Sequence, residues 1–421
     1  MNSDESIIDK LKSMGVRLGA QHISPPAKPA YNSYPIESVV DGFDIQTIYG
    51  KTFAAEHHYP LYYSHGIIPL CSECASNGAM EILARWCAAP RITNPGGQNI
   101  VFIDTETSGL AGGTGTYVFL VGIGYRTAAE FIVEQYFMRD PAQEAGLLAA
   151  LDQKLAQFDT VVTFNGKTFD IPLLNTRYML NGFTAPFGGY DHVDVLQVAR
   201  KLWRDRLSSR SLSDLEKEII KFNRTLDDIP GWMIPQIYFD YLRSGDARPL
   251  AGVFYHNVMD ILSLAALFGR VGGMLQDPLH NADEHGLDLA AIARLYEELG
   301  MLEKSAELYE QSLSHGDLPE PFFLKVMERY ALLRRRQKNW EKAVQLWEKA
   351  AAHGDPNACI ELSKYYEHRE RNYFEALEWA RKALDSLEFS EQNVFTLKEM
   401  ERDIQRRIGR LYQKVYRQHV Q

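Results

Sequence analysis

Apolar positions change their rhythm along the chain. Between residues 97 and 137 they come in three short runs, "NIVFIDTET", "TYVFLVGIGYR" and "EFIVEQYFMRD", joined by brief connections containing Gly or Ala, which reads as three strands. "PAQEAGLLAALDQKLAQF" then has helical spacing, "DTVVTFNG" reads as a strand and "FDIPLLNTRYML" as a helix. Three strands followed by helix, strand and helix predict an α/β domain, a mixed sheet flanked by helices.

From about residue 287 the pattern is helical throughout. "ARLYEELGMLEKSAELYEQSL", "ERYALLRRRQKNWEKAVQLWEKAA" and "SKYYEHRERNYFEALEWARKAL" align with one another, and their matching alanines are Ala306, Ala343 and Ala376. A period near ~34 residues, with aromatics around a small residue, marks tetratricopeptide-type helix pairs that stack to cover one another's apolar faces. The last helix, about 391–418, then acts as the cap. At the other end, "DESIIDKLKSM" has helical spacing and "SPPAKPAYNSYP" breaks regular structure, which predicts a docking helix on a proline-rich arm. The expected organisation is therefore an arm at 1–30, an extension packed on the central domain at 31–96, an α/β domain at 97–272, and an all-α repeat domain at 285–421.

A chain of 421 residues suits two or three domains. Its N-terminus lacks the basic-then-apolar layout of a signal peptide, and no long uncharged apolar run marks a membrane span, so a cytoplasmic protein with no membrane partner is expected. The four cysteines do not imply a disulfide framework. Cys71 and Cys74 have metal-type spacing, with His57, His58, His65 and Cys87 nearby, but no second close ligand pair completes a zinc site. The formal net charge of −10 argues against gripping nucleic acid by overall charge, so phosphate contacts must come from local patches.

The chemistry is carried by acids in apolar settings. Asp104 and Glu106 are i and i+2 on a strand and so share a face, where two carboxylates repel unless a cation lies between them. "VVTFNGKTFDIPLL" puts Asp170 at a helix start, and "FYHNVMDILSLAALF" puts Asp260 on an apolar helix face, where an unpaired carboxylate is costly to bury. Four carboxylates from separate segments suit a site for two divalent ions, Mg²⁺ or Mn²⁺.

"DTET" after a strand, "NGKTFD", and a His or Tyr shortly before the last Asp resemble the three motifs of the DEDD superfamily of 3′-to-5′ exonucleases, in order, over roughly residues 97–270. With the repeats and the arm, the likeness extends to the YprB-like group of DEDD-type nucleases associated with DNA repair, including a mitomycin-repair exonuclease subunit. The resemblance implies a ribonuclease H-like fold and a metal-dependent exonuclease acting on single-stranded DNA or 3′ ends. It makes Asp104, Glu106, Asp170 and Asp260 the catalytic metal ligands, and implies a general base just before Asp260. In the family's histidine branch that base stands five positions before the final Asp, and in its tyrosine branch four. Here the arrangement is reversed, with Tyr255 five before and His256 four before. Four residues bring helical side chains to nearly one face, which favours His256 and leaves Tyr255 as runner-up and candidate substrate contact.

Thr105, Asn165 and Lys167, placed among these acids, are candidate substrate contacts. Arg200, Lys201, Arg204, Arg206 and Arg210 surround Trp203, a mixture suited to a single strand through phosphate pairing and base stacking; Trp203 and Arg204 are the contacts expected there. "GLAGGTG" lacks the lysine of a phosphate-binding loop and reads as a turn. The basic stripe from Arg402 to Arg417 reads as a solvated helix face. The repeats imply a protein partner, for which the family likeness indicates a repair helicase. An RNA-trimming exonuclease with the same chemistry and a non-catalytic adaptor are the competing readings.

Overall fold

The structure is a computed structural model that describes residues 34–70, 77–93, 99–109, 115–225, 228–281, 285–387 and 394–420. The arm at 1–30, the Cys71/Cys74 pair and most of "GLAGGTG" fall outside the described residues.

Seven strands form one mixed sheet: β1 Phe43–Thr47, β2 Gly50–Pro60, β3 Ile100–Thr107, β4 Val118–Arg126, β5 Glu130–Phe137, β6 Thr160–Thr163 and β7 Asp191–Asp194. Their spatial order is β1-β2-β5-β4-β3-β6-β7. The pairs β1/β2, β2/β5, β5/β4 and β4/β3 are antiparallel, whereas β3/β6 and β6/β7 are parallel. The last five strands of that order make the RNase H-like sheet; the sequence pattern predicts four of them and misses β7, only four residues long. Residues 43–60, read only as part of a packed extension, instead lengthen the sheet itself. Their hairpin turns at Gly50, whose φ of 121° lies where glycine carries no steric cost.

Both faces of the sheet are covered, so β4 is buried almost end to end. On one face Val101 and Ile103 join a core with α2 (Glu144–Leu155), α3 (Asp170–Leu180) and α5 (Ile234–Ser244). On the other, Phe102 packs its ring 5.6 Å from Phe268 of the long helix α6 (Leu250–Gln276), in a core that also takes α4 (Val195–Leu202) and α1 (Asn77–Cys87). α6 is long and apolar enough to cross a membrane by length and composition, and 83% of its most apolar window is buried inside the protein. It lies close on the sheet because Gly122 and Gly124 have no side chains. A Cβ at Gly122 would stand 2.1 Å from Asn257 Oδ1, and one at Gly124 would stand 2.4 Å from Ile261 Cγ2.

The C-terminal region is helical: α7 Gly286–Glu298, α8 Leu302–Ser314, α9 Glu320–Arg336, α10 Trp340–Ala352, α11 Pro356–Tyr365, α12 Tyr373–Ser386 and α13 Val394–Val420. Ala306, Ala343 and Ala376, the residues that set the sequence period, are fully buried on α8, α10 and α12. Before each lies a left-handed residue that ends the preceding helix: Gly300, Lys338 and Arg371, with φ of 77°, 63° and 56°. The basic stripe of α13 is no plain solvated face, since Arg407, Arg410 and Lys414 converge at 2.6–2.9 Å on the buried Glu367 carboxylate. α7 shares a core with α6, and Tyr296 Oη donates to the Leu275 carbonyl at 2.9 Å.

Lysine at the left-handed position 338 carries a steric cost that glycine avoids. Lys338→Gly is therefore expected to raise stability by about 0.5–1 kcal/mol in thermal or urea unfolding. An unchanged or lowered midpoint would contradict that backbone assignment.

Candidate carboxylate site

β3 alternates, so Asp104 and Glu106 share the Phe102 face and point toward α6, while Val101 and Ile103 turn to the other core. Asn257 of α6 fixes the first acid by donating from Nδ2 to Asp104 Oδ2 at 2.9 Å. Its own Oδ1 accepts from Gln135 Nε2 at 2.9 Å, so the amide orientation is set from β5. One turn beyond Asn257, Asp260 reaches the same region.

The second acidic segment is held by a different device. Asp194, 3% exposed at the end of β7, accepts from the backbone N–H groups of Asn165 at 2.9 Å and Lys167 at 3.2 Å, and caps α4 through Leu196 N–H at 3.1 Å. The chain between β6 and α3 bends at Asn165, which is left-handed with φ of 65°, and Gly166 passes so close to Thr163 that a Cβ would lie 2.5 Å away. α3 therefore starts at Asp170 beside β3, where Thr105 Oγ donates to Asp170 Oδ1 at 2.5 Å.

These acids feel one another. Burial holds Asp104 well above the usual carboxylate range, and the charges of Asp260 and Asp170 push it further, against the Asn257 hydrogen bond and the Arg224 charge. Glu106 is raised in the same way, by burial and then by Asp104, Asp260 and Asp170. Asp170 is pushed up to about 6 by burial, with the Thr105 hydrogen bond pulling the other way. Asp260 takes a positive neighbour, Arg224, whose Nη2 bonds its Oδ1.

His256 also faces Asp260. Its Nδ1 lies 2.7 Å from Asp228 Oδ1, and a carboxylate only accepts, so Nδ1 carries the hydrogen. The Arg224 Nη1 contact at 3.2 Å to that same nitrogen is then a close approach between two donors. The other ring nitrogen, Nε2, lies 3.6 Å from Asp260 Oδ2. Tyr255 is half-buried, and its hydroxyl accepts from Thr225 Oγ at 3.0 Å.

The structure thus gathers Asp104, Glu106, Asp170, Asp260 and His256, with Thr105 bonded to one of the acids. Asn165 serves the bend through its backbone, and Lys167 is exposed beside it. Trp203 is a correction: it is fully buried in the core and cannot stack on a base. One of its basic neighbours joins the two parts of the protein, while Arg200, Lys201 and Arg204 are exposed and Arg210 bonds the Leu207 and Ser208 carbonyls. Arg206 pairs with the buried Asp288 of α7, and Arg294 of α7 reaches Asp205 at 3.4 Å and the Lys201 carbonyl at 3.1 Å. Arg204 is exposed and lies 3.3 Å from Asp205. His57 and His65, near the cysteine pair in sequence, approach Gln135 Oε1 at 3.3 Å and Ser263 Oγ at 2.8 Å.

Arg224, Asp228 and Asn257 escape sequence reasoning. "KFNRTLDDIP" is an unremarkable polar stretch, and only the pairing of "GIG" on a strand with a polar residue on an apolar helix hinted at Asn257.

The set of donors fits hard divalent cations: all four are carboxylates, and each of the raised ones would be relieved by positive charge. The geometry is not that of a closed cage, since among the described residues no three His, Cys, Asp or Glu side chains are gathered tightly enough to hold an ion as they stand. Asp260 is engaged by Arg224 instead.

The RNase_H superfamily profile matches residues 101–271, from β3 into α6. A Bacillus subtilis (strain 168) protein titled Uncharacterized protein YprB is 32% identical over 342 residues, an alignment that spans 78% of this chain and 79% of that one. The family B DNA polymerase from the hyperthermophilic archaeon Pyrobaculum calidifontis aligns at 15% identity with a TM-score of 0.30, over 47% of this chain and 28% of the polymerase, which is too loose to carry an argument. The match along most of both chains decides membership: the protein belongs to the YprB family, with an RNase H-like nuclease domain that leads into a helical C-terminal region.

Proposed function

We propose that the protein is a metal-dependent 3′-to-5′ exonuclease of the DEDD type that shortens DNA from single-stranded 3′ ends. The observation that carries this reading is the convergence of Asp104, Glu106, Asp170 and Asp260 beside a histidine whose ring is oriented by Asp228. Mg²⁺ or Mn²⁺ held by those four carboxylates would supply Lewis-acid stabilisation of phosphoryl charge and an acidified water. His256 Nε2 takes the proton of the attacking water, and Asp228 keeps the other ring nitrogen protonated and steadies the imidazolium that results. Water adds to phosphorus as the bond to the departing 3′ oxygen breaks, giving a nucleoside 5′-monophosphate and a chain shorter by one. With Trp203 buried, an exposed aromatic near the site that could stack on a base is Trp232, 71% exposed one residue after Gly231, where an added Cβ would lie 3.8 Å from His256 Nε2.

The same reading places the protein in the cytoplasm, in DNA repair, with tetratricopeptide-type repeats that recruit a helicase. Buried alanines at the repeat period support the repeats. A groove of about 560 Å³ lined in part by Trp347, Glu361, Arg406 and Arg410 supports a protein partner.

Purified protein incubated with end-labelled DNA and RNA is expected to release mononucleotides from 3′ ends of DNA with Mg²⁺ or Mn²⁺ and none in chelator. Asp104→Ala should abolish release, and His256→Ala should lower kcat by about 10²–10⁴-fold with little change in KM. Full activity in chelator would reject the metal mechanism, and preference for RNA would reassign the substrate.

The electrostatics give a second test. Burial, and then the charges of Asp260 and Asp170, hold Asp104 well above the ordinary carboxylate range. A raised carboxylate contributes stability that is fully present below its ordinary pKa and is lost as pH rises through the raised one. Asp104→Asn removes one repelling charge at nearly constant shape. In chelator, its melting temperature minus that of wild type should therefore grow from about pH 4 to pH 7 and be positive at pH 7. A difference independent of pH would show that the acids do not repel.

A further inference from the structure

Arg224 is mounted far more rigidly than an exposed arginine would be. Its Nε donates to Glu216 Oε2 at 2.9 Å and its Nη2 to Oε1 at 2.5 Å. Glu216 is 1% exposed and cannot turn to water for a substitute. Its carboxylate also accepts from Ser263 Oγ at 2.6 Å. Ser263 spends its single hydrogen there, so its oxygen accepts from His65 Nε2–H at 2.8 Å. His65 is fully buried, its ring centroid 3.9 Å from that of Phe222 with the planes tilted by 35°. The hairpin bearing His65 is itself fastened to the Arg224 segment, with Ile67 N–H donating to the Ile220 carbonyl at 2.8 Å. Gly66 passes so near that carbonyl that a Cβ would stand 1.9 Å from it. Three separate segments thus aim one guanidinium, and its free edge faces Asp260 and Asp228.

We propose that Arg224 is the built-in counter-ion of the carboxylate site, holding Asp260 and competing with a divalent cation for it. The chemistry favours this over a purely structural pair. Glu216 alone would neutralise the arginine, and Ser263 and His65 already fix Glu216. The remaining contact is made to a carboxylate oxygen of the candidate site, an oxygen that a cation ligated by Asp260 would compete for. A fixed positive charge there weakens divalent binding, and withdrawing it leaves Asp260 free to ligate. Arg224 thereby keeps the site intact while it holds no ion and sets the concentration at which the ion enters. This inference rests on the metal reading of the site and specifies how that site is regulated.

The test is Mn²⁺ binding to the full chain, read by calorimetry without nucleic acid. Wild type should bind and Asp104→Asn should bind much more weakly. Arg224→Gln should bind Mn²⁺ tenfold or more tightly than wild type, about 1.4 kcal/mol, whereas Arg224→Lys, which keeps the charge, should stay near wild type. Since Arg224→Gln strands the buried Glu216 charge, the double variant Arg224→Gln/Glu216→Gln provides a neutral hydrogen-bonded pair and should also bind more tightly. Unchanged or weaker binding in both Gln-bearing variants, with wild type still binding through Asp104, would overturn the counter-ion role and leave the metal site standing. Absence of Mn²⁺ binding by wild type would overturn both.

Discussion

Repulsion among buried carboxylates is the constraint around which this protein is arranged. Burial raises Asp104, Glu106 and Asp170, the charges of Asp260 and Asp170 push the first two further, and a fold that brings such groups together must use interactions elsewhere to keep them there. The supports are visible. Gly122 and Gly124 let α6 approach the sheet, Asn257 ties Asp104, Asp194 folds the bend before Asp170, and Arg224 answers the charge of Asp260. Each is a local conformational or hydrogen-bonding choice that makes sense only beside the acids.

The surrounding architecture stiffens that arrangement. The β1–β2 hairpin adds two strands to the edge at β5, while the small hairpin carrying His65 clamps the segment that leads to Arg224. On the far side, α7 packs into the same core as α6, so the helical region is continuous with the helix that carries His256 and Asp260. Arg206 after α4 and Arg294 of α7 tie these parts together, through Asp288 and the Lys201 carbonyl.

Much of this was legible in the chain. The three apolar runs and the two helix–strand alternations specify the central strands and helices, because half-buried and fully buried strands impose their own periods on sequence. The spacing of His256 and Asp260, one helical turn apart, was enough to put them on one face, and Nε2 does lie 3.6 Å from Asp260. Trp203 was misread because an aromatic among arginines looks the same in sequence whether the ring points to solvent or inward, and burial is decided by the neighbours that cover it. Residues 43–60 were under-read because they add to a sheet edge formed by residues some 80 positions away.

Sequence alone determined the alternation that puts Asp104 and Glu106 on one face of a strand, the helix that carries His256 and Asp260, and the small-residue period of the C-terminal helices, since each depends on spacing within a single element. Only the tertiary structure decided which charges answer the acids. Glu216, Arg224 and Asp228 lie between the motifs in a stretch without a pattern, and they acquire a role when the packing of α6 and the His65 hairpin brings them to Asp260 and His256. Periodicity encodes the face of an element, whereas a counter-charge is chosen by proximity in space, which no local spacing records.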